Sequence, residues 1–158
     1  MRFGFVPKEV PVNRDLTVCA PKFEEAVRLL LKELPDTNGF ETLRTEARQH
    51  FLYGFGRDYD DGRGKVTEAV SALTSWHGFG LACDVVQKDA TPWDAPEGFW
   101  DKLGACARRL GLAWGGDWKR RDLPHVQWGR CPKSPTDADR QLYRQQGIEA
   151  VWVKYGAA

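Results

Sequence analysis

One short apolar run that contains a single acid constrains this chain more than any other segment. Residues 81–86 are apolar except for Asp84, and two glycines, Gly78 and Gly80, closely precede them. A short apolar run bounded by residues that break regular structure predicts a buried β-strand. Side chains alternate along a strand, so Asp84 shares a face with the small Ala82. Because a carboxylate is costly to bury unless it is paired or bound to a cation, this strand is expected to carry part of a polar site.

The length and the charge balance limit the partners that the chain can have. Its 158 residues include 23 Lys and Arg against 22 Asp and Glu, a net charge of +1. This balance gives no support to a nucleic-acid partner held by bulk charge. No apolar run reaches the roughly 18–20 residues that a membrane helix needs. We therefore predict one soluble domain over residues 1–158, a monomer with no nucleic-acid or membrane partner.

Neither the N-terminus nor the cysteines indicate export. Residues 1–12 contain no apolar stretch of the kind that a secretory signal peptide needs. The four cysteines, Cys19, Cys83, Cys106 and Cys131, form no Cys-x-x-Cys pair, which argues against a cysteine-based structural zinc site. We expect four free thiols in a reducing compartment.

Hydrophobic periodicity and breaker residues predict helices mixed with short strands. The predicted helices are 21–34, 45–53, 98–110 and 135–146, and the predicted strands are 81–86, 112–114 and 125–128. The tail, residues 148–155, is compatible with a strand or a helix. Because helices do not separate the strands regularly, the pattern favours an α+β fold over a doubly wound parallel sheet.

Two of the three histidines lie in polar surroundings next to predicted strands. His77 precedes the apolar run, and His125 begins another strand, where it shares a face with Gln127. Two imidazoles and the Asp84 carboxylate are the ligand set of an open catalytic zinc site, in which water completes the coordination. On the residues alone, a hydrogen-bonded His–Asp pair that ties the strands together is an equally good interpretation. His50 falls inside a predicted helix, where a structural histidine is expected.

The spacing of these residues resembles that of a known family. Residues 75–84 read Ser-x-His-x-x-Gly-x-Ala-x-Asp, and about forty residues on Gly-Gly-Asp-Trp at 115–118 is followed by Asp-x-x-His at 122–125. This pattern resembles the zinc peptidases that cleave D-amino-acid-containing peptides of bacterial cell walls. They comprise D-Ala-D-Ala carboxypeptidases and dipeptidases and the L-alanyl-D-glutamate endopeptidases found among phage endolysins. Further similar elements occur at 44–49, 52–53, 56–57 and 66–67. Residues 15–16 and the helix after Pro21 resemble the N-terminus of the endolysin branch, so the resemblance extends over residues 15–128.

The resemblance implies a fold, a metal and the residues of the reaction. The fold would be the D,D-peptidase (hedgehog-like) fold, a small antiparallel sheet with flanking helices. His77, Asp84 and His125 would be the ligands of a Zn²⁺ ion. Asp122 would be the general base, and Arg44 would polarise the scissile carbonyl and stabilise its oxyanion.

Three more residues are expected at the substrate site. We expect Gln49, Ser75 and Trp118 to contact the substrate, with Gln49 near Arg44 as its helper. Ser75 lies two residues before His77 and could instead orient that histidine. Asp117 is the alternative general base. Its place between a glycine and a tryptophan suits a structural turn better.

The resemblance therefore implies a zinc metallopeptidase that hydrolyses a peptide bond of the peptidoglycan stem, its one expected partner. An L-alanyl-D-glutamate endopeptidase of the endolysin type is the first choice, stored in the host cytoplasm until a holin releases it to the cell wall. The alternatives are a D,D-carboxypeptidase of the same family and a non-catalytic cell-wall-binding module that has kept the fold.

Overall fold

Six strands and five α-helices form within residues 2–89 and 91–158, the part of the chain that the computed structural model describes. The strands are β1 (Arg2–Phe3), β2 (Thr37–Glu41), β3 (Tyr59–Asp60), β4 (Ala82–Gln87), β5 (Leu112–Trp114) and β6 (His125–Trp128). The α-helices are α1 (Pro21–Glu33), α2 (Glu46–Gly54), α3 (Phe99–Arg109), α4 (Asp137–Gln146) and α5 (Ile148–Lys154). None of the helices in these residues is both long and apolar enough to cross a lipid bilayer.

A four-stranded sheet positions the rest of the fold. Its strand order is β2-β4-β6-β5, and each neighbouring pair is antiparallel. Strands β1 and β3 form a separate, short parallel pair. A small antiparallel sheet with flanking helices is the α+β architecture that the sequence predicts, and the prediction of the fold class is confirmed.

The edge strand β2 is absent from the sequence prediction. Its residues read Thr-Asn-Gly-Phe-Glu, and the Asn-Gly pair is a strong turn signal. The segment is nevertheless extended because residues 37–39 pair with β4, and the register shifts between Gly39 and Glu41. Pairing with β4, not local propensity, therefore decides the conformation of this strand.

Helices α1 and α3 cover one face of the sheet. Strand alternation puts Cys83 and Val85 of β4 and Val126 of β6 on this face, and all three are fully buried. In the same core lie Phe23, Val27 and Leu30 of α1 and Leu103, Cys106 and Ala107 of α3. The other face of the sheet carries Asp84 of β4 and His125 and Gln127 of β6, so the helices pack on the side of the sheet opposite these polar residues.

A smaller apolar cluster holds α2 against the loop that follows it. Phe51, Leu52 and Phe55 pack together with Tyr59. A Cβ on Gly54 would lie 2.3 Å from the Tyr59 ring, so only glycine lets the ring pack on the helix at this point. This packing fixes the position of α2, which carries Gln49.

The four cysteines are buried and unpaired, as the sequence predicts. Burial raises the pKa of the Cys19 and Cys131 thiols to about 12 and that of Cys106 to about 11. Thiols that stay protonated in an apolar environment are poor nucleophiles and poor metal ligands. These residues therefore serve the packing of the core.

A buried aspartate connects the two C-terminal helices, α4 and α5, through hydrogen bonds. Asp139 is fully buried, caps α4 through Thr136, and accepts hydrogen bonds from Lys154 Nζ at 2.6 Å and the Tyr155 hydroxyl at 2.8 Å. Burial opposes its ionisation, but these hydrogen bonds outweigh burial and hold the pKa of Asp139 below its usual range. Trp128 of β6 donates to the Tyr155 carbonyl oxygen at 2.8 Å, so this end of the chain is tied to the sheet.

Replacing Asp139 with asparagine is expected to lower the free energy of unfolding by about 1–3 kcal/mol at pH 7, because a buried hydrogen-bond acceptor is lost. A pKa that is lowered in the folded state gives stability that is present above the unfolded pKa of about 4 and is lost as the pH falls through the folded value. The difference in melting temperature between parent and Asp139→Asn should therefore shrink as the pH is lowered from about 6 to about 3.

Thermal melts at several pH values measure this difference. Asp137→Asn, a change of an exposed aspartate in the same helix, is the control and should melt close to the parent. A difference for Asp139→Asn that stays constant over this pH range would contradict the role of the Asp139 charge.

Candidate metal centre

Three polar side chains form a row on the face of the sheet opposite α1 and α3. In the strand register, Asp84 of β4 is directly opposite His125 of β6 on one side and Glu41 of β2 on the other. Opposite residues of antiparallel strands share a face, with their Cβ atoms about 4.5–5.5 Å apart. The Asp84 Oδ1 atom accordingly lies 3.8 Å from Nδ1 of His125. Backbone pairing alone thus brings these groups together.

His77 approaches the row from a short 3₁₀ helix, Trp76–Phe79. The Ser75 hydroxyl oxygen caps this helix by accepting a hydrogen bond from the His77 backbone N–H at 3.3 Å. A Cβ on Gly78 would lie 2.1 Å from the Ala72 carbonyl oxygen, so the residue after the histidine must be glycine. The turn therefore fixes where the His77 ring enters the site.

A hydrogen bond to one ring nitrogen fixes the tautomer of each neutral histidine. Nδ1 of His77 lies 2.9 Å from the Thr42 carbonyl oxygen, which only accepts, so Nδ1 carries the proton. Nε2 of His125 lies 2.8 Å from Oε1 of Gln127. The Gln127 Nε2 atom donates to two backbone carbonyl oxygens, which leaves Oε1 as the acceptor and puts the proton of His125 on Nε2. In each ring the remaining nitrogen has a free lone pair.

These lone pairs and the Asp84 carboxylate converge on one point. Nε2 of His77 lies 3.3 Å from Asp84 Oδ1, and the ligand atoms of His77, Asp84 and His125 all lie within 4.8 Å of one another. Ligands about 2.0–2.2 Å from a tetrahedral zinc ion are roughly 3.4 Å apart. Acceptors that hold no proton between them repel one another unless a cation lies among them, so this donor set fits Zn²⁺. With both histidines neutral, neither ring has a proton left for a hydrogen bond to Asp84; a protonated His77 would instead donate its Nε2–H to this carboxylate.

The electrostatics of the cluster keep His125 and Asp84 in the forms that bind a cation. Burial lowers the pKa of His125 to about 4, and the neighbouring His77 acts in the same direction, so this imidazole is neutral at pH 7. Burial opposes the ionisation of Asp84. The two histidines and Arg44 outweigh burial and hold the pKa of Asp84 well below its usual range.

A buried ion-pair network holds Arg44 beside the cluster. Glu41 is only 2% exposed, and its carboxylate binds the guanidinium groups of both Arg44 and Arg48. Nη2 of Arg44 lies 3.8 Å from Asp84 Oδ2. The guanidinium therefore lies next to the metal cluster in a fixed orientation.

Gln49 supports Arg44 from behind. Its Oε1 atom accepts a hydrogen bond from Nη1 of Arg44 at 3.1 Å, and its Nε2 donates to the Ala69 carbonyl oxygen at 2.6 Å. The Gln49 side chain is fully buried. The structure thus places Gln49 beside Arg44, as the resemblance implies, but not on the cavity wall, where a direct contact with the substrate would need it.

Asp122 lies at the mouth of the site. Its backbone N–H donates to the Gly115 carbonyl oxygen, and its own carbonyl oxygen accepts from the His125 N–H. This turn brings Asp122 Oδ2 to 3.9 Å from Nδ1 of His125. Although half of the side chain is exposed, the surrounding protein and the negative charge of Asp84 raise the pKa of Asp122 to about 6. A carboxylate with this pKa can take up and release a proton near neutral pH.

Asp117 lies outside the cavity. Its carboxylate accepts hydrogen bonds from Arg108 Nη1 at 2.8 and 3.0 Å, and both side chains are half exposed. Exposed ion pairs of this kind contribute only about 0–1 kcal/mol to stability. Of the two candidate bases, the structure brings Asp122 to the cluster and Asp117 to a surface ion pair.

A cavity of about 390 Å³ opens over the cluster. Ser75 and Trp118 both lie on its wall, as does Lys133. The Trp118 ring is tilted against the His125 ring, with 5.0 Å between the ring centres. The cavity therefore places aromatic and cationic groups within reach of a substrate bound at the cluster.

Two residues that shape this site, Glu41 and Thr42, have no place in the sequence prediction, and a third, Gln127, is predicted on the strand face of His125 but without a role. Glu41 and Thr42 lie at the end of β2, which is itself absent from the prediction, and no local signal marks them. Gln127 lies two residues after His125, and this spacing on one strand face was the available signal for their contact.

Known proteins have similar sequences and a similar fold. The family described as D-alanyl-D-alanine carboxypeptidase matches residues 69–128. The peptidoglycan L-alanyl-D-glutamate endopeptidase CwlK of Bacillus subtilis is 29% identical over 136 residues, which cover 76% of this chain and 77% of that protein. The crystal structure of the Serratia marcescens L-Ala D-Glu endopeptidase ChiX matches with a TM-score of 0.56 and 26% identity, over 77% of this chain and 91% of that chain. Together these similarities confirm the resemblance to the D,D-peptidase family.

Proposed function

We propose that this chain is a zinc-dependent peptidase that hydrolyses a peptide bond in the stem of bacterial peptidoglycan. The observation that carries the proposal is the convergence of His77 Nε2, Asp84 and His125 Nδ1 in one cavity with Asp122 at its mouth. A wall-binding module without activity has no need of a proton acceptor beside a metal site. The position of Asp122 therefore favours an enzyme over such a module.

The residues around the cluster fit the parts of a peptide hydrolysis. A zinc ion bound there would act as a Lewis acid and lower the pKa of water toward about 7. Asp122 lies where a carboxylate takes the proton of the attacking water and later delivers it to the leaving amine. Arg44, held by Glu41, presents a fixed positive charge to the oxyanion that develops on the scissile carbonyl.

We propose the L-alanyl-D-glutamate bond as the bond that is cleaved. Support comes from the two similar proteins described above, whose names both specify this bond. A D,D-carboxypeptidase is the second candidate, because the family description that matches residues 69–128 names that activity.

We further propose that the protein is a monomeric endolysin that a holin releases from the host cytoplasm to the cell wall. The sequence features that resemble the endolysin branch, residues 15–16 and the helix after Pro21, support this role.

Digestion of purified peptidoglycan tests the proposed function. After treatment with the zinc-loaded protein, we expect mass spectrometry of the muropeptides to show stem peptides that begin with a free D-glutamate amine. A D,D-carboxypeptidase would release free D-alanine instead. Binding of zinc-loaded protein to the wall without any turnover would contradict the proposal.

Replacing a metal ligand and replacing the residue that orients a ligand are expected to affect zinc binding differently. His77→Ala removes a ligand, so zinc content and activity should fall together. Gln127→Leu keeps all three ligands but removes the hydrogen bond that orients His125, which should weaken zinc affinity by about 10- to 100-fold. Gln141→Leu, at an exposed position of α4, is the matched control.

Competition with a chromophoric chelator measures these affinities, and melting temperatures of the metal-free proteins show that the variants are folded. A folded Gln127→Leu protein that binds zinc as tightly as the parent would contradict the role of Gln127.

If Asp122 is the general base, replacing it should lower turnover without releasing the bound zinc. Asp122→Ala should keep its zinc and its melting temperature while turnover falls by about 100- to 10,000-fold, the usual contribution of a general acid–base group. Asp117→Ala, the matched control, should lose only an exposed ion pair and hydrolyse peptidoglycan at nearly the parental rate. If zinc-loaded Asp122→Ala keeps its activity and Asp117→Ala loses it, the base is Asp117.

A further inference from the structure

One cation on the cavity wall has no carboxylate partner. Lys133 lines the cavity that holds the metal cluster, and within residues 2–89 and 91–158 its ammonium forms no ion pair. Arg44, the other cation of the cavity, is already bound by Glu41 and Gln49. Within the described residues, the positive charge of Lys133 is therefore the one in this cavity that no carboxylate neutralises.

The backbone at Lys133 is fixed to the site. The carbonyl oxygens of Pro132 and Lys133 both accept hydrogen bonds from Nε2 of Gln127, at 3.2 and 3.4 Å. The indole N–H of the buried Trp76 also donates to the Pro132 carbonyl oxygen, at 2.7 Å. Because Gln127 also orients His125, the base of the lysine side chain has a defined position relative to a metal ligand.

One aromatic ring, that of Trp118, contacts both the Lys133 ammonium and a residue of the metal cluster. Nζ of Lys133 lies 5.1 Å from the centre of the Trp118 ring, a distance at which a cation is attracted by the face of an indole. The same ring also contacts His125, with 5.0 Å between the ring centres. The charge of Lys133 is thus one aromatic ring away from the metal ligand.

The proposed substrate carries a negative charge next to the bond that breaks. When the bond before a glutamyl residue is hydrolysed, the leaving amine belongs to that residue. A glutamyl residue has two carboxyl groups and only one of them continues the peptide, so the other is a free carboxylate unless it is amidated. Backbone bond lengths of about 1.3–1.5 Å place the α-carboxyl carbon only roughly 3–4 Å from the scissile carbonyl carbon. A leaving C-terminal D-alanine would carry a carboxylate at the same distance.

We propose that Lys133 binds the free carboxylate of the amino acid whose amine leaves, and that it thereby selects substrates with an acid at this position. The inference rests on the proposed function, since it requires hydrolysis of a stem peptide. The glutamyl carboxylate is the favoured source, and the C-terminal carboxylate of D-alanine is the other. The two cations of the cavity then have separate roles, Arg44 at the scissile carbonyl and Lys133 at the leaving amino acid.

Varying both the side chain and the substrate tests this contact. The proteins are the parent, Lys133→Met and the control Lys119→Met, which changes an exposed lysine outside the cavity wall. The substrates are a synthetic L-Ala-D-Glu stem peptide with its second carboxyl group free and the same peptide with that group amidated. The readouts are kcat and KM for each pair, together with zinc content and melting temperature.

For the parent, we expect kcat/KM to be about 10- to 100-fold lower on the amide than on the acid, the loss that removal of one charged hydrogen bond produces. Lys133→Met should lose the same factor on the acid and little on the amide, with zinc content and melting temperature unchanged. Lys119→Met should discriminate between the two substrates as the parent does.

Any other result of this experiment contradicts either the role of Lys133 or the proposed function. If Lys133→Met slows both substrates equally, or neither, the inference is wrong and the proposed function stands. If the parent hydrolyses D-Ala-D-Ala peptides alone, the same comparison with their C-terminal acid and amide decides whether Lys133 binds the D-alanine carboxylate. A zinc-loaded parent that hydrolyses none of these peptides overturns the proposed function, and the inference fails with it.

Discussion

The alignment of β4 with its two neighbours is the constraint on which the site depends. Because Asp84 is opposite both His125 and Glu41, the hydrogen bonds of the sheet place these groups in one line. A slip of one residue would turn Asp84 toward the apolar layer of α1 and α3, where an unpaired carboxylate is costly. Cys83 and Val85, fully buried on that side, oppose the slip, so the packing of the core determines the geometry of the metal centre.

The site also depends on the buried charged residues next to the metal cluster. Glu41 is buried between two guanidinium groups, and one of them, that of Arg44, also lies 3.8 Å from Asp84. Removing one partner of a buried ion pair leaves an uncompensated charge, which is strongly destabilising. The network thereby holds Arg44 in place before a substrate arrives, and a charge that needs no reorganisation is what stabilises an oxyanion best.

Local sequence patterns are sufficient to predict most of the helices and strands. They are insufficient for a segment whose conformation depends on pairing with a strand far away in the sequence. The apolar stripe of α1 and the run after Gly80 predict a helix and a strand, because in both cases periodicity and breakers agree. Strand β2 contains a turn signal and is extended only through its pairing with β4. For the site, the motif identifies His77, Asp84 and His125, which the structure brings together. The resemblance also puts Gln49 near Arg44, where the structure has it, but no local pattern shows its contact with Ala69, twenty residues away.

Anomalous diffraction at the zinc absorption edge, on crystals of the purified protein, tests the central claim most directly. The account predicts one peak per chain, about 2.0–2.2 Å from Nε2 of His77, a carboxylate oxygen of Asp84 and Nδ1 of His125. Asp122 should lie close to this peak without coordinating it. A zinc-loaded crystal with no peak at this cluster, or with the ion bound through the opposite nitrogen of either histidine, would contradict the account.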